Sequence, residues 1–266
     1  MTQRNLPTYR LAFETGVATH VGKVRRANED AAVARPDIGV WAVADGMGGH
    51  ENGQFASQTL TVDIASMGLA VSPADQIARF KDRVMRANDT IRHTAEAKGG
   101  VTIGTTLTAM LAYGRSYVCV WAGDSRTYLL RGGILTQVSR DHTEVQELVQ
   151  TGVLTPEQAK TWPRRNVITR AIGIFEDPEL DECGGGLEPL DTFLLCSDGL
   201  TGHLSDEEIC SKAASLRPQE ACDALIEATL ERGASDNVTV IIVRCHAMDP
   251  TIQPTRLNAR PPEALR

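Results

Sequence analysis

The sequence is short of the side chains that build soft or imidazole-based metal sites. Its six cysteines, Cys119, Cys183, Cys196, Cys210, Cys222 and Cys245, include no CxxC pair, which argues against a structural zinc site. Its six histidines are scattered, with no HxH or HExxH spacing, which disfavours a zinc or iron hydrolase. There is no excess of positive charge either. Lys plus Arg is 27 against 34 Asp plus Glu, a formal net charge of -7. That balance argues against a general binder of nucleic acid or anionic membrane, because neither polyanion is attracted overall. No segment approaches the roughly 20 apolar residues needed to cross a bilayer. The opening stretch MTQRNLPTYRLAFETG lacks the unbroken apolar run of a signal peptide. The expectation is a cytoplasmic chain with reduced thiols, several of them buried as small hydrophobes. No internal repeat is visible.

What is present is an ordinary globular composition, 42% apolar and 23% charged, enough for a sizeable core. Short runs rich in β-branched and aromatic residues predict strands at 39–44, 107–113, 116–122, 126–130, 192–197 and 238–243. The brief Gly114-Arg115 connection predicts an antiparallel hairpin. Ala56, Leu60, Ile64 and Met67 share a helical face, as do Ile77, Phe80, Val84, Ala87 and Ile91. Ser72-Pro73 reads as an N-cap with Pro in the first turn, and helix starts are expected at the capping boxes Thr155–Gln158 and Ser205–Glu208. Cys222, Leu225, Ile226 and Thr229 form a further stripe. Clustered strands with paired helices favour a mixed domain of largely antiparallel sheets. After Met248 the sequence holds four prolines and little apolar content, so 249–266 reads as a disordered tail.

Chemistry enters through repetition. Asp45, Asp124, Asp198 and Asp236 each stand at the end of, or just before, an apolar strand. One Asp-Gly pair is ordinary turn material. Four such acids crowd together if their strands lie side by side, and like charges that close need cations or protons to coexist. Oxygen is all this set offers, and hard divalent ions such as Mg²⁺ or Mn²⁺ prefer it. In VADGMGGH, the glycines Gly46, Gly48 and Gly49 follow Asp45 and permit close backbone approach to a ligand; a plain flexible turn is compatible with that.

Taken together these residues resemble the protein phosphatase type 2C family of metal-dependent serine/threonine phosphatases, in the form found in bacterial members. Eight motifs run in one order: Arg25-Arg26-Ala27-Asn28-Glu29-Asp30, Asp45 to His50, Gly104-Thr105-Thr106, Gly123-Asp124-Ser125-Arg126, Ser139-Arg140-Asp141-His142, Ile168 to Gly173, Cys196 to Leu200, and Ser235-Asp236-Asn237. The match covers about residues 14 to 245. It implies an α+β fold, a four-layer α-β-β-α sandwich of two antiparallel β-sheets flanked by helices, as a single catalytic domain over 1–248 with a flap at about 142–166.

The resemblance also divides the acids. Asp45 would bridge two metals, with the Gly46 carbonyl on the second, while Asp198 and Asp236 complete the first. Asp124, with Asp198, matches a third-metal position. Glu29 and Asp30 would hold the second metal directly or through its waters. The cofactors implied are two to three Mn²⁺ or Mg²⁺ ions per chain. Arg25 matches the phosphate-binding arginine, a role for which a forked guanidinium suits better than lysine. Arg25, Asp45 and Asp198 are then the catalytic set. Met47 replaces the histidine of many eukaryotic members, and His50 and His142 are both left without an assigned role. The expected partners are phosphorylated proteins, including a serine/threonine kinase or its substrates, with the chain a monomer. In the flap, Val145, Leu148 and Val149 are expected to dock on the core, and Arg164 and Arg165 to select substrates. The alternatives are an inactive phosphoprotein-binding scaffold and a phosphohydrolase of small molecules.

Overall fold

The computed structural model describes residues 10–49 and 51–248, so His50 and the expected tail at 249–266 lie outside the described residues. Eleven strands and seven helices follow in order: β1 (Arg10–His20), β2 (Asp30–Arg35), β3 (Val40–Met47), α1 (Glu51–Ala65), α2 (Pro73–Ala97), β4 (Gly104–Thr105), β5 (Leu107–Tyr113), β6 (Ser116–Ala122), β7 (Arg126–Arg131), β8 (Ile134–Gln137), α3 (Glu144–Gln150), α4 (Pro156–Ala159), β9 (Asp181–Gly186), β10 (Thr192–Cys196), α5 (Asp198–Thr201), α6 (Asp206–Ser215), α7 (Pro218–Glu231) and β11 (Val238–Met248). One sheet has the order β1-β11-β10-β7-β8 and the other β2-β3-β5-β6-β9, with β4 pairing β3 at its margin. Neighbouring strands pair antiparallel throughout.

Period-two alternation builds the layers, since successive strand residues face opposite sides. In β11, Val238, Val240 and Ile242 pack outward under α6 and α7 with Leu225 and Ile226, while Ile241, Val243 and Cys245 face the other sheet. In β3, Val40, Ala42 and Ala44 pack under α1 and α2 with Leu60, Ile64, Phe80 and Ile91, while Trp41 and Val43 face inward. Strands apolar on both faces are what a doubly covered sheet requires. Three cores result, one between the sheets and one beneath each helical layer. This is the four-layer α-β-β-α sandwich expected.

Local chemistry sets the helix ends. Ser72 accepts from the Asp75 N–H with Pro73 in the first turn, and Thr155 and Ser205 form both expected capping boxes. The hairpin closes at Gly114, whose φ of 60° needs glycine, with Tyr113 opposite Ser116. Strands β1, β2, β4, β8 and β9 fall outside the runs expected from the sequence. The burial of β1 is mostly partial, and in RLAFETGVATH the face opposite Leu11, Phe13 and Val17 carries Glu14 and Gly16 and little apolar bulk. Strand β9 is DECGGG, a glycine-rich edge held by backbone pairing rather than by apolar side chains. The flap residues differ too: Val145, Leu148 and Val149 are only half-buried, because α3 buries no residue fully.

Phe193 is fully buried between the sheets, edge-on to Tyr117 at 4.7 Å. Phe193→Ala leaves a cavity that two stiff sheets cannot close, so urea unfolding should show a loss of about 3–5 kcal/mol.

Candidate metal centre and its surroundings

Antiparallel pairing brings one end of both sheets together: the starts of β2, β5, β7 and β11 and the ends of β1, β3, β6 and β10. Every acid singled out in the sequence lies there. Asp30 and Asp45 are direct register partners across β2 and β3. Asp124 occupies the turn between β6 and β7, Asp198 opens α5 after β10, and Asp236 precedes β11. Glu29 and Arg25 come from the loop joining β1 to β2.

Side-chain hydrogen bonds hold that end rigid. The Asp45 N–H donates to Thr106 Oγ1 at 3.0 Å, and its carbonyl accepts from Thr106 N–H at 2.8 Å and Thr105 Oγ1 at 3.0 Å. Thr106 Oγ1 also meets Ser125 Oγ at 2.7 Å, joining the Asp45 and Asp124 segments. Asn237 accepts from Glu29 N–H at 2.8 Å and donates to the Val21 and Ala27 carbonyls at 2.9 Å each, fastening the Arg25 loop to β11. Gly46 is required by space: a Cβ there would lie 2.1 Å from the Gly53 carbonyl oxygen. Gly48 has φ 120° and would drive a Cβ to 2.2 Å from the Thr102 carbonyl oxygen, so the chain is tightly packed at Gly46 and Gly48.

The carboxylates feel one another. Burial, then the charges of Asp30, Asp198, Asp124 and Asp236, pushes Asp45 well above the usual carboxylate range. Burial raises Asp30 and Asp124 to about 7 each, with Asp198 adding to both. Burial also raises Asp198, with Asp236 next, against a lowering hydrogen bond from Asp45. Asp30 is buried, its Oδ2 accepts from Ser197 Oγ at 2.8 Å, and its Oδ1 has no partner. Arg25 Nη2 reaches Asp236 Oδ2 at 2.6 Å and is attracted by Glu29 and Asp45.

Among the described residues, no three acidic, histidine or cysteine side chains stand as a closed metal cage. Arg25 supplies positive charge at Asp236, and the Ser197 hydroxyl donates a hydrogen bond to Asp30. An all-oxygen donor set, a buried carboxylate oxygen without a partner and aspartates driven toward protonation fit hard divalent cations, whose charge removes the penalty.

Two sequence motifs prove to be supports. His142 is buried, its Nδ1 accepts from the Gly123 N–H at 3.2 Å, and its Nε2 lies 3.2 Å from Asp181 Oδ2. It steadies the turn carrying Asp124, and burial lowers its pKa. Arg126 forms a bidentate pair with Asp141, with contacts of 2.6–3.0 Å. Spacing alone could not reveal either role, because both depend on the Gly123 turn meeting a segment far along the chain. Both ends of the segment expected to form a flap meet here: His142 N–H donates to the Gly123 carbonyl at 2.9 Å, Thr143 pairs with Ile168, and Arg170 binds Asp181 at 2.7 Å.

A sandwich of two antiparallel sheets with acids at one shared end is the architecture of metal-dependent phosphatases, and this chain belongs to the protein phosphatase 2C family, whose model matches residues 22–240. Among its relatives is the serine/threonine protein phosphatase PstP of Mycobacterium tuberculosis, 40% identical over 225 residues; the match covers 83% of this chain and 43% of that protein, so the chain spans less than half the length of this relative. The serine/threonine phosphatase Stp of Listeria welshimeri is 34% identical, over 86% of this chain and 95% of Stp. The PppA structure from Pseudomonas aeruginosa, described as a key regulatory component of T6SS, superposes with a TM-score of 0.82 at 38% identity, covering 89% of this chain and 98% of that one. The PstP catalytic domain, solved with two manganese ions, superposes with a TM-score of 0.79 at 37% identity, over 89% and 99% of the two chains. No helix among the described residues is long and apolar enough to cross a membrane.

Burial holds Asp30 and Asp124 at about 7 in the folded chain, against 3.8 for an unperturbed aspartate. The folded chain therefore holds more protons between those values, and raising pH through that window removes stability. In chelator-treated protein, wild type should lose roughly 5 °C more in Tm between pH 5 and 7.5 than Asp30→Asn does. Added Mn²⁺ should restore more Tm at pH 7.5 than at pH 5. Parallel pH curves for the two proteins would show that Asp30 is not the strained group.

Proposed function

We propose that this chain hydrolyses phosphoserine and phosphothreonine in proteins, reversing a serine/threonine kinase. The observation that carries this reading is the meeting of Asp45, Asp124, Asp198 and Asp236 at one sandwich end beside Arg25. Family membership, and the names of relatives covered along most of their length, support it. Asp45 and the Gly46 carbonyl, with Asp198 and Asp236, would hold two cations; Asp124, with Asp198, would hold a third. Glu29 and Asp30 would hold the second cation or its waters. Bound Mn²⁺ or Mg²⁺ supplies a water acidic enough to act as nucleophile near neutral pH.

The chain's own residues then position the ester. A guanidinium has five donors, and Arg25 commits Nη2 to Asp236, leaving others for the phosphoryl oxygens. Its contact with Asp236 ties phosphate binding to the carboxylate cluster. The Thr105, Thr106 and Ser125 hydrogen bonds keep Asp45 and Asp124 in place while charge redistributes on phosphorus. His142 is committed to Gly123 and Asp181, which makes it a positioning residue rather than the proton donor to the leaving oxygen.

In the presence of Mn²⁺ the protein should release phosphate from a phosphothreonine peptide and leave sugar phosphates and nucleotides nearly untouched. Asp198→Asn or Asp236→Asn should lower turnover on the order of 10²-fold or more, by analogy with removal of a group that stabilises transition-state charge. Arg25→Ala should chiefly weaken substrate use while Mn²⁺ still raises Tm. No hydrolysis of the peptide, or an active Asp198→Asn, would sink the reading and favour a phosphoprotein-binding scaffold.

The flap offers a second test. Arg164 and Arg165 are exposed, and Arg164 Nε reaches Glu144 at 2.8 Å. The double variant Arg164→Ala/Arg165→Ala should keep turnover of a small aryl phosphate while phosphoprotein turnover drops several-fold. Equal losses on both substrates would reject a flap role in selecting substrates.

A further inference from the structure

One thiol pair takes no part in the site above. Cys119 in β6 and Cys183 in β9 are direct antiparallel partners, and both are free. The ladder's phase is set by the Leu187 N–H, which donates to the Arg115 carbonyl at 2.9 Å. Unbroken register from there makes Cys119 and Cys183 a hydrogen-bonded pair of positions, at which Cα atoms lie about 5.5 Å apart. Disulfides span Cα separations of roughly 4.4–6.8 Å. Directly opposed side chains project from the same face. Here both join the packing between the sheets.

Access to the two sulfurs is unequal. Cys119 is fully buried. Cys183 is half-buried and lines a cavity of about 500 Å³ with Trp121, Arg126, Arg140, Asp141 and Asp181. The neighbouring Cys119 thiol lowers the pKa of Cys183, while Cys183 and burial raise that of Cys119. The Cys183 thiol donates to the Val138 carbonyl at 3.9 Å. By contrast, burial pushes Cys196, Cys222 and Cys245 up to about 12. A thiolate is the reactive form, so Cys183 meets a small oxidant first and Cys119 is placed to resolve it.

We propose that Cys119 and Cys183 form a peroxide-sensitive modification site that closes into a reversible disulfide between β6 and the edge strand β9. The Cys183 thiolate attacks one oxygen of hydrogen peroxide, the O–O bond breaks, and the leaving hydroxide takes a proton to become water. Cys183 is then a sulfenic acid. The Cys119 sulfur displaces its hydroxyl, the S–S bond forms, and the Cys119 proton leaves with that hydroxyl as a second water. Two thiols are thereby oxidised by two electrons and one peroxide is reduced to two waters. The bond would clip β9 close to Asp181, which holds Arg170 and His142 at the flap base.

The test treats the whole native chain with hydrogen peroxide, alkylates the remaining thiols and maps protease fragments by mass without reductant. The expected result is a cross-linked fragment joining Cys119 to Cys183, lighter by two hydrogens than its parts and released by dithiothreitol. In Cys183→Ser the fragment should vanish and Cys119 should stay a thiol. Cys183 accumulating as sulfinic acid beside an unmodified Cys119 would overturn the proposal. So would oxidation at half-buried Cys210 with the pair still reduced. The readout is a mass, so it succeeds or fails independently of the phosphatase reading.

Discussion

Repulsion among aspartates gathered at one end of two facing sheets is the constraint around which this molecule is arranged. Asp45 feels Asp30, Asp198, Asp124 and Asp236 together, and burial denies all of them full hydration. A loose scaffold would relax by letting the acids separate. This one cannot, because each acid is anchored at the end of a strand whose two faces are both packed. Rigidity of the sandwich thus keeps the carboxylates in a relation that only protons, a guanidinium or divalent cations make comfortable. An affinity for metal follows from strain that the fold maintains.

Supporting hydrogen bonds give that strain its shape. Thr106 joins the Asp45 and Asp124 segments, Asn237 holds the Arg25 loop to β11, and His142 carries the Gly123 turn to the foot of the flap. Each steadies a residue proposed to hold metal or phosphate, which is how a site built from loops gains the precision of a site built on strands. The flap shares this support, since its two ends meet at the Thr143–Ile168 bridge beside His142.

The remaining legibility follows from how local each signal was. Strands such as β5, β6, β10 and β11 declared themselves through dense β-branched and aromatic runs. Capping boxes at Thr155 and Ser205 declared helix starts from four residues each. Strand β9 gave no such sign, because three glycines in DECGGG supply backbone partners and almost no side chain. Flap residues Val145, Leu148 and Val149 looked like a docking face, yet the short helix that carries them buries them only in part.

By itself the sequence determined the identities and order of the acids, the apolar alternation that makes both sheet faces packable, and the motif set that marks the family. Those are properties of neighbouring residues, so they survive in one dimension. Tertiary structure alone decided that Asp30 faces Asp45, that one of its oxygens is buried without a partner, that His142 props up a turn, and that Cys119 stands opposite Cys183. Such relations arise from strand register and from loops meeting across the fold. No local pattern encodes them, because each depends on how distant segments share the same few ångströms.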